Sequence, residues 1–200
     1  MYLNTFQYKP EHIDCKQCTE FVRKKGCTAQ VCPWLAERIE AGTVGYREAV
    51  IETFPRSPHM DARLHTVIRR FTGSLFLTPA HRQRMVLMKA HQGHRRRRDT
   101  PAYFSAMYLL TANEDLCNRT TNCFCIHGIE FDYATLRDIS PHNFTLFSAA
   151  RDIYTDSSGV TVGDLTNADV VDVLALSLIV NALLVARYGC SVLKIREVTV

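Results

Sequence analysis

Two hundred residues, 46% of them hydrophobic and 22% charged, suit one compact unit or a small module fused to a larger one, and exclude a disordered, collagen-like or fibrous chain. The longest uncharged apolar stretch, Val173 to Val185, holds 13 residues, short of the roughly 20 that span a bilayer; the acid-containing start, Met1 to Glu20, is not built like a secretory signal, so a cytosolic protein without a membrane partner is expected. The net charge of +4 hides a polarity, because residues 1–100 carry 18 Lys or Arg against nine acids and residues 101–200 carry six against 11.

Four of the eight cysteines fall first along the chain as Cys15, Cys18, Cys27 and Cys32, a C-x2-C-x8-C-x4-C pattern. In a cytosolic chain such spacing points to metal ligands rather than to a disulfide framework. Zinc is the expected ion: its filled d shell accepts four thiolates tetrahedrally, and a closed tetrathiolate leaves no position for water, so the site would be structural. Lys16, Arg23, Lys24 and Lys25 would offset its negative charge. An iron–sulphur cluster on the same four cysteines and replacement of one thiolate by His12 are the alternatives. A zinc-binding module over residues 1–42 is therefore predicted, followed by a basic helical region over 43–99 and an acidic, apolar helical core over 100–200.

Helix starts are marked by a capping side chain followed by proline at the first helical position. Cys32-Pro33 opens a helix that carries Trp34, Leu35 and Ile39 and ends before Gly42. Thr43 is expected to cap the next, with Tyr46, Val50, Ile51 and Phe54 on one face. Further helices are predicted from about Met60 to Phe71, from Pro79 behind Thr78 to about His91, and from Pro101 behind Thr100 to about Ala112. Ser140-Pro141 opens another through Phe144, Phe147, Ile153 and Tyr154. Asn167 or Asp169 begins the last, which ends at Tyr188 before Gly189; its Leu174, Leu178, Ile179 and Leu183 predict the central core element, with the Asn181 amide bonded to a neighbouring helix. Val160 to Val162 and Leu193 to Val200 are β-rich but short, so the class is mainly α with minor β.

Residues 56–98 hold 11 Lys or Arg, one acid and five of the eight histidines. Arg82, Arg84, Lys89, Arg95, Arg96, Arg97 and Arg98, with His81, His91 and His94, suit a phosphate-contacting surface, and Phe71, Phe76, Tyr103 and Phe104 bracket it as possible base-stacking rings. The four consecutive arginines are expected at an accessible loop tip. A solvated helix face is the bland alternative. A second cluster, Cys117, Cys123, Cys125 and His127, has ligand types but poor ligand spacing; free thiols are favoured there over a second metal. No P-loop, G-x-S-x-G, G-x-G-x-x-G, H-E-x-x-H or zinc-deaminase pattern occurs, so a non-enzymatic protein is expected.

Most of the chain resembles a family of uncharacterised proteins carried on conjugative and other mobile elements of gut Firmicutes. The resemblance is carried by Tyr108-Leu109-Leu110-Thr111-Ala112, Gly128-Ile129-Glu130-Phe131, Ser140-Pro141-His142-Asn143-Phe144-Thr145-Leu146-Phe147 with Ala149-Ala150, Asn181 through Gly189, and in the front part Cys32 through Ile39. It implies a cargo protein of a mobile element and no active-site residues. Small basic proteins in that setting serve element maintenance, transcriptional control or defence evasion, including inhibition of CRISPR nucleases. The combined expectation is a zinc-stabilised protein that binds nucleic acid or a nucleic-acid-handling enzyme such as a nucleoprotein nuclease. A DNA-binding regulator or maintenance protein, and a nucleic-acid-processing enzyme with a dispersed histidine site, are the alternatives.

Overall fold

Side chains that can cap a helix set most of the boundaries in the computed structural model, which describes residues 21–22, 26–27, 32–54 and 58–196. A short hairpin pairs β1 (Phe21–Val22) antiparallel with β2 (Gly26–Cys27), placing Phe21 opposite Cys27. All other regular structure among the described residues is helical: α1 (Pro33–Glu40), α2 (Tyr46–Thr53), α3 (Pro58–Arg69), α4 (Pro79–Gln92), α5 (Pro101–Leu110), α6 (Glu114–Thr120), α7 (Pro141–Thr155), α8 (Val162–Thr166) and α9 (Val173–Tyr188), joined by short 3-10 turns. The protein is mainly α.

The predicted caps at Thr78, Thr100 and Ser140 form, each side-chain oxygen accepting the amide three residues on, an arrangement worth about 1 kcal/mol apiece. Cys32 does the same with sulphur, its Sγ accepting from the Leu35 amide at 3.4 Å. Two expected starts are corrected. Thr43 does not cap α2, because its hydroxyl turns back to the Arg38 carbonyl at 3.2 Å; Gly45 flanks α2 without a side-chain cap. The last helix begins at Val173 behind Asp172 rather than at Asn167 or Asp169, and before it lies α8, opened by a reciprocal box between Thr161 and Asp164 and ended by Asn167. Neither Val160 to Val162 nor Leu193 and Lys194 are strands; residues 190–194 form a 3-10 turn, and 197–200 lie outside the described residues. Sequence reading also passed over α6, capped by Asn113.

Packing centres on α5. Tyr103 and every residue from 105 to 110 are buried, so this helix is apolar all round, as a helix enclosed by others must be. It lies against α7 and α9, which also touch each other. The expected central role of α9 is thus shared, and its inner face is rotated from the predicted one: Leu178 and Ile179 are buried whereas Leu174 is 40% exposed. Asn181 is bonded as expected. Its Oδ1 accepts from Tyr46 Oη at 2.7 Å, joining α9 to α2, and its Nδ2 donates to the Leu75 carbonyl at 3.1 Å. Tyr108 also donates to that carbonyl, so Asn181, Tyr46 and Tyr108 are satisfied within one buried network. One apolar cluster extends from Leu35 to Ile195. Among the described residues no helix is long and apolar enough to cross a membrane.

Candidate anion-binding cleft

The basic segment divides into cations that hold the fold together and cations that face outward. Arg63 donates to the carbonyls of Leu165 at 2.6 Å and of Val171, tying α3 to the α8 region. Arg84 donates to Thr111 O at 2.8 Å and Ala112 O at 2.7 Å, closing the C-terminal end of α5. Both guanidinium groups occupy orphan carbonyls that would otherwise lack donors. Arg82, Arg95, Arg96 and Arg97 are exposed.

Arg98 corrects the expectation of an accessible four-arginine loop tip. It is only 5% exposed, and its guanidinium group donates to Gly93 O at 2.9 Å, Gln92 O at 3.2 Å, Cys125 O at 3.4 Å and Asp99 Oδ1 at 3.2 Å while lying 4.9 Å from the Tyr103 ring centre. Asp99 closes the turn from the other side. Its Oδ2 accepts from Lys89 Nζ, from the Arg95 amide at 3.0 Å, and lies 2.9 Å from His94 Nδ1. Burial opposes ionisation of Asp99, but the hydrogen bonds from Lys89, Arg95 and Arg98 outweigh it and hold the carboxyl down at about 2. Gly93 enters this turn with φ +65 and lends its carbonyl to both Lys89 and Arg98; a side chain there would strain the backbone. The result is a clamped turn that points Arg95, Arg96 and Arg97 outward.

His81 also leaves the predicted surface. It is fully buried, with Nε2 2.8 Å from Tyr108 O and Nδ1 accepting from the Leu77 amide at 3.2 Å. Burial, helped by the nearby Arg84 and opposed by the Tyr108 carbonyl, lowers its pKa to about 4, so near neutral pH it carries no charge for a phosphate. Of the four bracketing rings, Tyr103 is 0% exposed and cannot stack on a base, and Phe71 stacks on Tyr46 with ring centres 4.0 Å apart. Phe76 and Phe104 remain half-buried.

Those two rings and four cations meet in a cleft of about 790 Å³ between α4, the 73–76 loop, Phe104 of α5 and the stretch 190–196. Arg82, Lys89, Lys194 and Arg196 line it, with Met85 and Val86 on the α4 side and no carboxylate among the described lining residues. Lys89 sits 5.2 Å from the Phe104 ring centre, within cation–π range. Lys194 and Arg196 are the residues sequence reading missed. The only signal for them was a basic pair in an apolar tail, and the 3-10 turn after Gly189 is what folds that tail onto α4.

The cysteines fall into three situations. Cys15 and Cys18 lie outside the described residues, and Cys27 is described only through its backbone pairing in β2. Cys32 is half-buried, with its sulphur at the positive end of α1, a setting in which a helix favours anionic ligands. The later cluster does not assemble: among the described residues no three His, Cys, Asp or Glu side chains form a group that could hold a metal. Cys125 donates its amide to Gly128 O at 2.8 Å in a tight turn closed by the Phe124–Ile129 bridge, with Ile126 and His127 exposed. Burial, with a smaller contribution from Cys125, pushes the Cys123 thiol up to about 11.

Set against protein families, curated proteins and solved structures, the chain finds no match.

Proposed function

We propose that this is a non-enzymatic, cytoplasmic polyanion-binding protein that engages nucleic acid or a nucleic-acid-handling enzyme through the α4 corner. The observation that carries this reading is the cleft lined by Arg82, Lys89, Lys194 and Arg196, with no carboxylate among its described lining residues, and with the outward Arg95, Arg96 and Arg97 held beside it by the Asp99 clamp. A protein with a solvated basic face would scatter acids among its cations; here they converge, as phosphate recognition requires. Neutral His81 and the buried hydroxyls of Tyr46 and Tyr108 are engaged in structural bonds, which supports a binding rather than a catalytic role.

The N-terminal cysteines are proposed to hold one structural zinc through Cys15, Cys18, Cys27 and Cys32. The hairpin ending at Cys27 and the helix-capping sulphur of Cys32 suit two of the four positions, and bound zinc would supply folding free energy to the segment before α1. On the resemblance noted above, the setting proposed is cargo of a mobile element, with counter-defence inhibition of a CRISPR-type nuclease as the role. Titration against labelled DNA, labelled RNA and a nuclease–guide complex tests this. Binding to at least one with an affinity that falls as salt rises is expected; salt-independent affinity or none for all three would refute it.

A further inference from the structure

The basic cleft is the middle of three depressions that run into one another. On one side it shares Ser74, Phe76, Arg82 and Val86 with a depression of about 450 Å³ that reaches Thr72 and Pro79. On the other it shares Lys194, Ile195 and Arg196 with one of about 620 Å³ bounded by residues 39–44. Among the described residues that line the groove the only carboxylate is Glu40, at the far end. Arg82, Lys194 and Arg196 make no ion pair among the described residues, whereas the Lys89 charge is offset by Asp99. Three uncommitted cations therefore follow the groove, and half-buried Phe76 and Phe104 line its centre.

We infer that this groove holds a single-stranded stretch of nucleic acid, with one unstacked base in the middle cleft against Phe104 and Phe76 and its phosphates along Arg82, Lys194 and Arg196. The inference rests on the polyanion reading and narrows it. A duplex keeps its base faces covered by stacking and offers nothing to two aromatic rings and the Met85–Val86 wall; a single strand offers both a π-face and a backbone charge at each step, which is the combination of groove and ring that such proteins use. A free mononucleotide would fill the middle cleft alone and leave the two adjoining depressions and one or more cations without a role. A fatty acid, with a single carboxylate, would match one cation rather than three spread along a track.

The test is fluorescence anisotropy on the full chain with a labelled 15-nucleotide DNA strand, the same strand as a duplex, an abasic strand of equal length, and thymidine monophosphate as competitor. The strand is expected to bind about tenfold or more tighter than the duplex, and the abasic strand to lose about fivefold or more, because base stacking on an aromatic ring contributes that much per base. Phe104→Leu, which keeps the apolar bulk, should abolish the difference between normal and abasic strands. Val86→Glu, at a position exposed on α4, should weaken the strand about tenfold with no loss of thermal stability and serves if Phe104→Leu fails to fold. Equal or tighter duplex binding, or an abasic strand bound as well as the normal one, would overturn the groove inference and leave the polyanion reading in place. Competition by the mononucleotide at the strand's own affinity would overturn the strand as occupant. Binding to a nuclease–guide complex without binding to any naked strand would also overturn it, and binding to nothing would refute both readings.

Discussion

Around α5 the packing is mainly apolar: Met107, Leu109 and Leu110 share one buried cluster with Leu146 and Phe147 of α7 and Leu176 and Leu184 of α9, the helices that α5 lies against. At the α4 corner the same task of fixing two segments together falls to Arg98, Asp99, Lys89 and the Gly93 carbonyl. Oil-like burial tolerates a small change of shape at moderate cost, whereas a buried charge network depends on every partner. The comparison also separates two kinds of arginine that look alike in the sequence. Those bound to carbonyls and carboxylates of the fold are unavailable to a ligand, and only the remainder can give the protein its affinity for anions.

The largest effect expected is in the apolar region. Leu178→Ala should cost about 2–5 kcal/mol in urea unfolding, and Leu174→Ala, about one helical turn earlier in the same helix but 40% exposed, less than about 1 kcal/mol; equal costs would break the assignment of the α9 face. In the polar region Arg98→Ala should cost on the order of 3 kcal/mol, because it strips a buried partner from Asp99 and from three carbonyls, while Arg96→Ala should stay within about 0.5 kcal/mol. If the two behaved alike by thermal melting, the clamped turn would not exist.

Acid offers a third probe. The folded-state pKa of His81 is lowered from 6.5 to about 4, so the unfolded chain takes up this proton first as pH falls. Its contribution to stability is therefore fully present above about 6.5 and is lost progressively down to about 4, to an extent of a few kcal/mol at most. Unfolding measured at pH 7.5, 5.5 and 4.5 should show that decline, and His81→Gln should be less stable at pH 7.5 yet flatter across the window. A smaller loss than at Leu178 or Arg98 belongs to the cap of α4: Thr78→Ala should cost about 1 kcal/mol, detectable as a shift in the urea midpoint.

What could be read from the sequence was local chemistry. Thr78, Thr100 and Ser140 each stand before a proline, and among the described residues their hydroxyls have no partner but the capped amide, so their helices start where expected. Thr43 had a competitor in the Arg38 carbonyl, which only the α1–α2 turn brings into reach. Asn167 does not open α9 because it ends α8, its amide donating to the Gly163 and Asp164 carbonyls, and the capping role falls to Asp172, whose carboxylate accepts from the Ala175 amide; the T-x-x-D pattern at Thr161 and Asp164 is the sequence signal for α8. For the candidate site, the charge count marked residues 56–98 as strongly basic but could not say which arginine faces inward. A run of four identical residues carries no such information; the pointer was Asp99, the acid immediately after the run. Lys194 and Arg196 lay beyond reach, since they join the cleft only through the chain reversal after Gly189.

The central claim is that the outward cations, and not the buried ones, carry recognition of an anionic partner. Its most direct measurement is the salt dependence of affinity for a labelled nucleic acid, compared between the natural protein and a variant with Arg82, Arg95, Arg96 and Arg97 replaced by Ala. Because these four side chains are exposed, the melting temperature should hardly move. Affinity should fall, and the slope of log affinity against log salt should flatten by about 0.7 for each lost contact on a single strand or about 0.9 on duplex DNA. An unchanged slope and affinity in a folded variant would contradict the claim and leave the basic corner as a solvated face.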